Sequence, residues 1–387
     1  MLEMRRNISI LLLLLCIFIP VTAYGQTKAF DVNAKSAVLM EAETGQVLFA
    51  KNEHMELPPA SITKIMTALL AMEAIDRGDV SLDDKVKVSA LAESMGGSQV
   101  WLEAGEKILL KDLLKSVLIP SANDSAVAIA EYIGGTEQNF VRMMNQKAKQ
   151  LGMKNTLFIN TTGLPVEHGN HHSSAYDIAL MGRELVKHKK IFDWTSKRLA
   201  YIRDGNYPIY TTNELLGHFP GADGLKTGWT EEAGYCLAGT AKQGDLRLIA
   251  VVMGTDSPTA RVDETAKLLN YGFRAFTKAI LINSGVEKST VEVKKGKKLE
   301  VPIETAQSFS AMIERGTKEL VEQEIEINKE LEAPVKKGEK VGKLIFKKDD
   351  RVLGQVDLVA AKDVEKAGFF TLIWRWIVQF VMGFFEK

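Results

Sequence analysis

The sequence predicts an α+β domain with one antiparallel sheet, followed by a small all-β domain and a C-terminal amphipathic helix. Three observations carry that prediction. Strand-type runs stand at both ends of residues 36–254 with helical runs between them, an order that favours helices packed on an antiparallel sheet. After about Leu281, valine and isoleucine alternate with lysine and glutamate, as in Thr290-Val291-Glu292-Val293 and Glu324-Ile325-Glu326-Ile327; such runs are short strands with charged outer faces. From Ala367 onward the chain is aromatic and apolar on three sides of a helix, with Thr371, Arg375, Gln379 and Glu386 along one narrow stripe.

Residues 1–25 read as an export signal: Arg5 and Arg6, an apolar run from Ile8 to Ile19, then Ala23-Tyr24-Gly25 before Gln26. The run is shorter than the roughly 20 residues a spanning helix needs. Cys16 follows Leu14 and Leu15 where a lipoprotein site would have small residues, so lipidation is not expected. Without this segment Cys236 is the remaining cysteine, and the fold must rest on a core rather than on disulfides. Charges balance at 49 basic and 49 acidic residues, and removing Glu3, Arg5 and Arg6 leaves 47 against 48. That balance argues against a nucleic-acid partner.

The elements of residues 26–280 follow in order. Ser36–Glu41 and Gln46–Ala50 flank Glu43-Thr44-Gly45 as a hairpin. Pro58 and Pro59 cannot continue a helix but sit well before one, which puts Ser61 at a helix N-terminus. Met66 to Ala74 is apolar nearly all round, as in a helix buried at the centre of a domain. Ser94-Met95-Gly96-Gly97-Ser98 is a loop, either a plain connector or a lining of the active-site cleft. Leu109–Leu118 and Ser125–Ile133 are helical, with Ser121-Ala122-Asn123 at the break between them. Asn160–Pro165 is a turn, and Ser173-Ser174 caps a further helix. Leu225–Trp229, Tyr235–Ala241 and Leu246–Gly254 are strands, and a helix over Thr259–Ala279 closes the unit. Residues 281–366 are the β-domain, with turns such as Lys336-Lys337-Gly338, and residues 367–387 the amphipathic helix.

Ser61 and Lys64 stand at i, i+3, which places both side chains on one helix face. A serine hydroxyl is a poor nucleophile until a base takes its proton, and lysine serves only if its pKa falls well below about 10.4. Burial or a second cation would lower it. This S-x-x-K pattern occurs once in the chain, as do Ser121-Ala122-Asn123 as S-x-N and Lys226-Thr227-Gly228 as K-[ST]-G. Three such motifs in this order mark penicillin-binding proteins and class A β-lactamases. From about Ala34 to its C-terminus the chain resembles the class C, low-molecular-weight penicillin-binding proteins that are serine-type D-alanyl-D-alanine carboxypeptidases, close to the subgroup of spore-forming Gram-positive bacteria.

The resemblance implies a β-lactamase/transpeptidase-like domain and acyl transfer without cofactor or metal. Its expected substrate is a peptidoglycan stem peptide ending in D-Ala-D-Ala, and β-lactams are expected to acylate the same serine. Ser61 would be the nucleophile, Lys64 the base and Ser121 the proton relay. Asn123 would hold the substrate amide, Lys226 and Thr227 the carboxylate, and Gly228 would let the strand approach the substrate. The backbone N–H groups of Ser61 and Trp229 would form the oxyanion hole. Two departures stand out. Many relatives carry histidine where this chain has Trp229, and no arginine shortly before Lys226 is placed to clamp a carboxylate, Arg203 being the nearest.

Competing readings are weaker. His168, His171 and His172 cluster, but H-E-x-x-H is absent and no acidic ligand is well placed for zinc. A β-lactamase would need neither the β-domain nor the terminal helix. A non-catalytic β-lactam-binding or scaffolding protein would not need an intact Ser61 and Lys64, and a D,D-endopeptidase remains an alternative activity. The helix at 367–387 is expected to lie on the membrane surface, because an arginine at a bilayer centre costs at least about 2.5 kcal/mol.

Overall fold

The computed structural model describes residues 30–167, 169–327 and 330–385. The export signal at 1–25 lies outside them, as do His168, the Gln379 side chain, Glu386 and Lys387.

The first hairpin forms as expected. Strands β1 (Ser36–Glu41) and β2 (Val47–Lys51) pair antiparallel. Glu41 holds their turn by accepting from the backbone N–H of Glu43 (2.9 Å) and Thr44 (2.6 Å). At the far end of the domain come β3 (Ala222–Thr230), β4 (Gly234–Gln243) and β5 (Leu246–Thr255). The sheet order is β2-β1-β5-β4-β3, so the first strand pairs with the last, Val38 opposite Val251. Residues 248–253 of the central β5 are fully buried, which accounts for their continuous apolar run.

The helices between occupy the core side of this sheet. Helix α1 (Lys64–Asp76) is ringed by α2 (Leu110–Leu118), α3 (Asn123–Gly134), α4 (Glu137–Gln150) and α5 (Ala175–Leu185). A helix covered on every side has no polar face, and ten of its thirteen residues are buried. Ser174 caps α5 by accepting from the N–H of Asp177 at 3.2 Å. Helix α6 (Pro258–Ala275), capped by Ser257, packs on β4 and β5.

α6 ends at Ala275, four residues short of the expected Ala279. Residues 276–282 form β6 (Phe276–Ile282) instead, and their burial alternates as a strand's does. A seam at 280/281 therefore falls inside a strand. The next strands are β7 (Glu287–Lys294), β8 (Glu300–Thr305), β9 (Phe309–Glu314), β10 (Glu322–Ile327), β11 (Leu331–Glu332), β12 (Lys340–Lys348) and β13 (Arg351–Ala360). β6 pairs with β9, and the rest make one sheet in the order β10-β12-β13-β8-β7-β11. Val293, Ile303, Leu344, Phe346 and Leu358 form its core. The Gln46 amide bonds both the N–H (3.0 Å) and C=O (2.7 Å) of Met312 in β9, tying the two parts together.

Helix α7 (Phe369–Phe385) ends the described chain. Phe369, Phe370, Trp374, Trp376 and Ile377 are exposed. Arg375, expected on a water-facing stripe, is half-buried and donates to the carbonyls of Gly296 (2.8 Å) and Lys297 (3.1 Å). Both carbonyls lie in the turn after β7, and a guanidinium can meet two acceptors at once. Among the described residues no helix is long and apolar enough to cross a membrane.

Candidate active site

Ser61 sits in a 3-10 turn, Ala60–Thr63, that leads directly into α1. Ala60 is held at φ +48°, a left-handed conformation that costs a non-glycine residue about 1–2 kcal/mol and persists only where packing enforces it. Two glycines make that packing possible. A Cβ on Gly163 would collide with the Ala60 carbonyl, and one on Gly228 would lie 2.7 Å from the Pro59 carbonyl. Gly228 thus allows β3 a close approach to the turn bearing Ser61.

Lys64 is fully buried, and its Nζ donates to Ser61 Oγ at 2.8 Å and to the Thr162 carbonyl at 2.9 Å. Burial, and then the nearby Lys226 ammonium, push its pKa well below the usual lysine value, while Asp124 pulls the other way. The Asn160–Pro165 turn, read from sequence as structural only, supplies that Thr162 carbonyl. Asn160 Oδ1 shapes the turn by accepting from the N–H of Gly163 at 2.7 Å.

Ser121 lies between α2 and α3 at φ +73°, on the cleft wall. Asn123 opens α3; its N–H donates to the Ser98 carbonyl (2.7 Å) and its Nδ2 to that of Gly96 (2.7 Å). Its Oδ1 is buried without a partner. The 94–98 loop therefore lines the cleft and contributes Ser98 to it.

Lys226 and Thr227 come from β3. Lys226 is 1% exposed, and burial, reinforced by the Arg261 charge, lowers its pKa to about 7. Thr227 Oγ1 lies 2.6 Å from Thr212 Oγ1. Trp229 is 55% exposed at the strand end, tilted against Tyr235 with ring centres 5.9 Å apart. Ser61, Ser98, Ser121, Thr212, Thr227, Gly228, Trp229, Tyr235 and Arg261 enclose a cavity of about 360 Å³. A groove of about 770 Å³ beside Gln46 and Phe309 is larger, but its Lys348 donates to Glu314 (3.0 Å) rather than to a serine.

Arg261 is the residue that sequence reasoning missed. It stands on the first turn of α6, thirty-five positions after Lys226 rather than before it, and only the packing of α6 on β4 brings it to the cleft. It is 9% exposed, its Nε has no hydrogen-bond partner, and its guanidinium lies 5.7 Å from the Tyr235 ring. An Arg just after a Ser-Pro helix start was the available signal. Arg203 serves elsewhere: it binds Glu106 and the carbonyls of Val100 and Trp101. His171 lies against Thr63 Oγ1 at 2.9 Å, and burial holds its pKa near 4. His172 instead meets the Asn170 carbonyl, and among the described residues no three ligating groups gather.

A cleft serine bonded to a buried lysine at a helix start, faced by a lysine-bearing strand edge, defines a serine acyltransferase of the penicillin-recognising kind. The family model for D-alanyl-D-alanine carboxypeptidases, peptidase family S11, matches residues 22–257, and that for the penicillin-binding protein 5 C-terminal domain matches 276–366. The chain belongs to this D-alanyl-D-alanine carboxypeptidase family. It is 43% identical to D-alanyl-D-alanine carboxypeptidase DacF of Bacillus subtilis, over 96% of this chain and 98% of the relative. Identity to DacC of Escherichia coli is 34%, over 91% and 89%. Among solved structures, penicillin-binding protein 5 of Haemophilus influenzae superposes with a TM-score of 0.76 at 31% identity, covering 87% of this chain and 99% of that one. Penicillin-binding protein D2 of Listeria monocytogenes, solved in the ampicillin-bound form, gives 0.58 at 33% identity over 62% and 98%.

Proposed function

We propose that this D-alanyl-D-alanine carboxypeptidase removes the terminal D-alanine of peptidoglycan stem pentapeptides through an acyl-enzyme on Ser61. The observation that carries the reading is the 2.8 Å contact between the cavity-lining Ser61 Oγ and the buried Lys64, whose pKa burial lowers. Neutral Lys64 takes the hydroxyl proton as Oγ attacks the penultimate carbonyl carbon. The backbone N–H groups of Ser61 and Trp229 receive the developing oxyanion. The C–N bond breaks, a proton passes through Ser121 to the leaving amine, and D-alanine departs. Water then attacks the ester, Lys64 takes its proton, and Ser61 is restored as the shortened peptide leaves.

The substrate's terminal carboxylate meets Thr227, Lys226 and Arg261, the last supplying an unpaired Nε. Asn123 Oδ1, buried and without a partner, suits the N–H of the substrate's acyl-side amide. A β-lactam carries an amide and a carboxylate in the same relation, so it acylates Ser61 and stays. The test is mass spectrometry after incubation with penicillin and, separately, with a D-Ala-D-Ala pentapeptide. A penicillin adduct on the Ser61 peptide and loss of one alanine from the substrate are expected; an adduct elsewhere, or none, overturns the assignment.

In the same reading residues 26–275 carry the chemistry, 276–366 form the small β-domain, and 367–387 hold the exported enzyme on the outer face of the membrane. The exposed face of α7 bears Trp374 and Trp376, residues that favour the water–lipid boundary. Arg375 bonds the β-domain, while Trp374, Trp376 and Ile377 stay exposed.

A further inference from the structure

Thr212 is not part of any of the three motifs, yet its hydroxyl lies 2.6 Å from that of Thr227 and both line the cleft. It stands between the hairpin ending at Tyr210 and β3, where its N–H donates to the Ile119 carbonyl at 3.2 Å. Asn213, next in the chain, is buried, and its Oδ1 accepts from the N–H of Leu215 at 3.1 Å. These bonds hold the backbone that presents Thr212.

A threonine hydroxyl has one proton and two acceptor lone pairs. Two hydroxyls facing each other can use only one of their two protons in the shared bond. If Thr227 donates to Thr212, its proton is spent, and it meets an incoming carboxylate with lone pairs against negative charge. If Thr212 donates to Thr227, the Thr227 proton is free for the carboxylate, and the two bonds in series polarise each other. We propose that Thr212 is a positioning residue that donates to Thr227 Oγ1 and so aims the Thr227 proton at the substrate's terminal carboxylate. The inference rests on the reading of Thr227 as a carboxylate-binding group. It extends that reading to a residue which touches Thr227 without belonging to its motif.

The experiment compares a peptide ending in D-Ala-D-Ala as the free acid with the same peptide amidated at its C-terminus. It uses the full chain and the variants Thr212→Val and Thr212→Ser. Thr212→Val keeps the shape and removes the hydroxyl. It should lower kcat/KM for the free acid about 5- to 10-fold, mainly through KM, and leave the amide within about twofold, the scale of one neutral hydrogen bond. Thr212→Ser, which retains the hydroxyl, should recover most of the loss. An equal loss on both substrates, or a serine variant as poor as the valine one, means that Thr212 is merely structural and overturns the proposal. A parent enzyme that turns over the free acid no better than the amide overturns the carboxylate reading itself, and the Thr212 proposal falls with it.

Discussion

Replacing Arg261 with methionine should make the enzyme worse and no less stable. The guanidinium is 9% exposed, its Nε is unpaired, and no acidic side chain bonds it among the described residues. Burial already lowers its pKa, so the free enzyme holds this charge at a cost that substrate binding offsets. A charge-assisted hydrogen bond to a carboxylate contributes about 1.5–3 kcal/mol, which converts to roughly a 10- to 150-fold loss in kcat/KM. In the free protein, methionine removes an unsatisfied buried donor, worth about 1–3 kcal/mol, against a contact with the Tyr235 ring worth about 0.5–1 kcal/mol. Stability should therefore hold or rise by about 1 kcal/mol. Arg261 also helps to keep Lys226 near 7. Lys226 binds the carboxylate when charged, and that charge is lost as pH rises through its pKa. The parent should thus show an alkaline limb in kcat/KM near pH 7, and Arg261→Met should move it upward. The assay is release of D-alanine across a pH series, with thermal melting alongside. A fall in Tm with kcat/KM unchanged, or an alkaline limb that stays in place or moves down, would refute the reasoning.

Three further outcomes follow from the same geometry. Lys64→Arg should abolish penicillin acylation of Ser61, because a guanidinium keeps its proton at working pH; a rate above a small residual, measured by mass spectrometry, would move the base elsewhere. Gly163→Ala, at φ +79° and against the Ala60 carbonyl, should cost about 2 kcal/mol or more in stability and slow acylation at least about tenfold, since it pushes apart the turn bearing Ser61 and the turn bearing the Thr162 carbonyl. An unchanged acylation rate would show that the turn does not set the nucleophile. Truncation after Lys366 should release the protein from lipid vesicles while kcat/KM on a soluble pentapeptide stays within about twofold, as every cleft residue precedes it; continued vesicle binding would place the membrane contact outside α7.

How far the sequence reached differs from element to element, for physical reasons. The Ser61–Lys64 pair was legible because both residues lie within one helical turn, where spacing alone dictates geometry. The buried α1, the first hairpin and the three late strands were legible too, since their apolar runs and turn residues are local signals. The boundary at Ala275 was not, because residues 276–282 suit a helix or a strand until β9 arrives to pair with them.

The cleft itself is a tertiary product. Pairing of β1 with β5 closes the sheet across more than two hundred residues, and that closure sets β3 beside the Ser61 turn. Arg261, Thr212, Ser98 and the Thr162 carbonyl reach the site from four separate stretches, and no spacing rule links them to Lys226 or Ser61. The pKa of Lys64 belongs to the same class: its amino-acid type sets the starting value, while burial and the position of Lys226 set the direction of its shift. Arg375 shows the limit most plainly. Helical periodicity placed it on the polar stripe of α7, but only the fold could show that its guanidinium meets the carbonyls of Gly296 and Lys297. Local patterning thus determines which residues share a face, and long-range packing determines what that face meets.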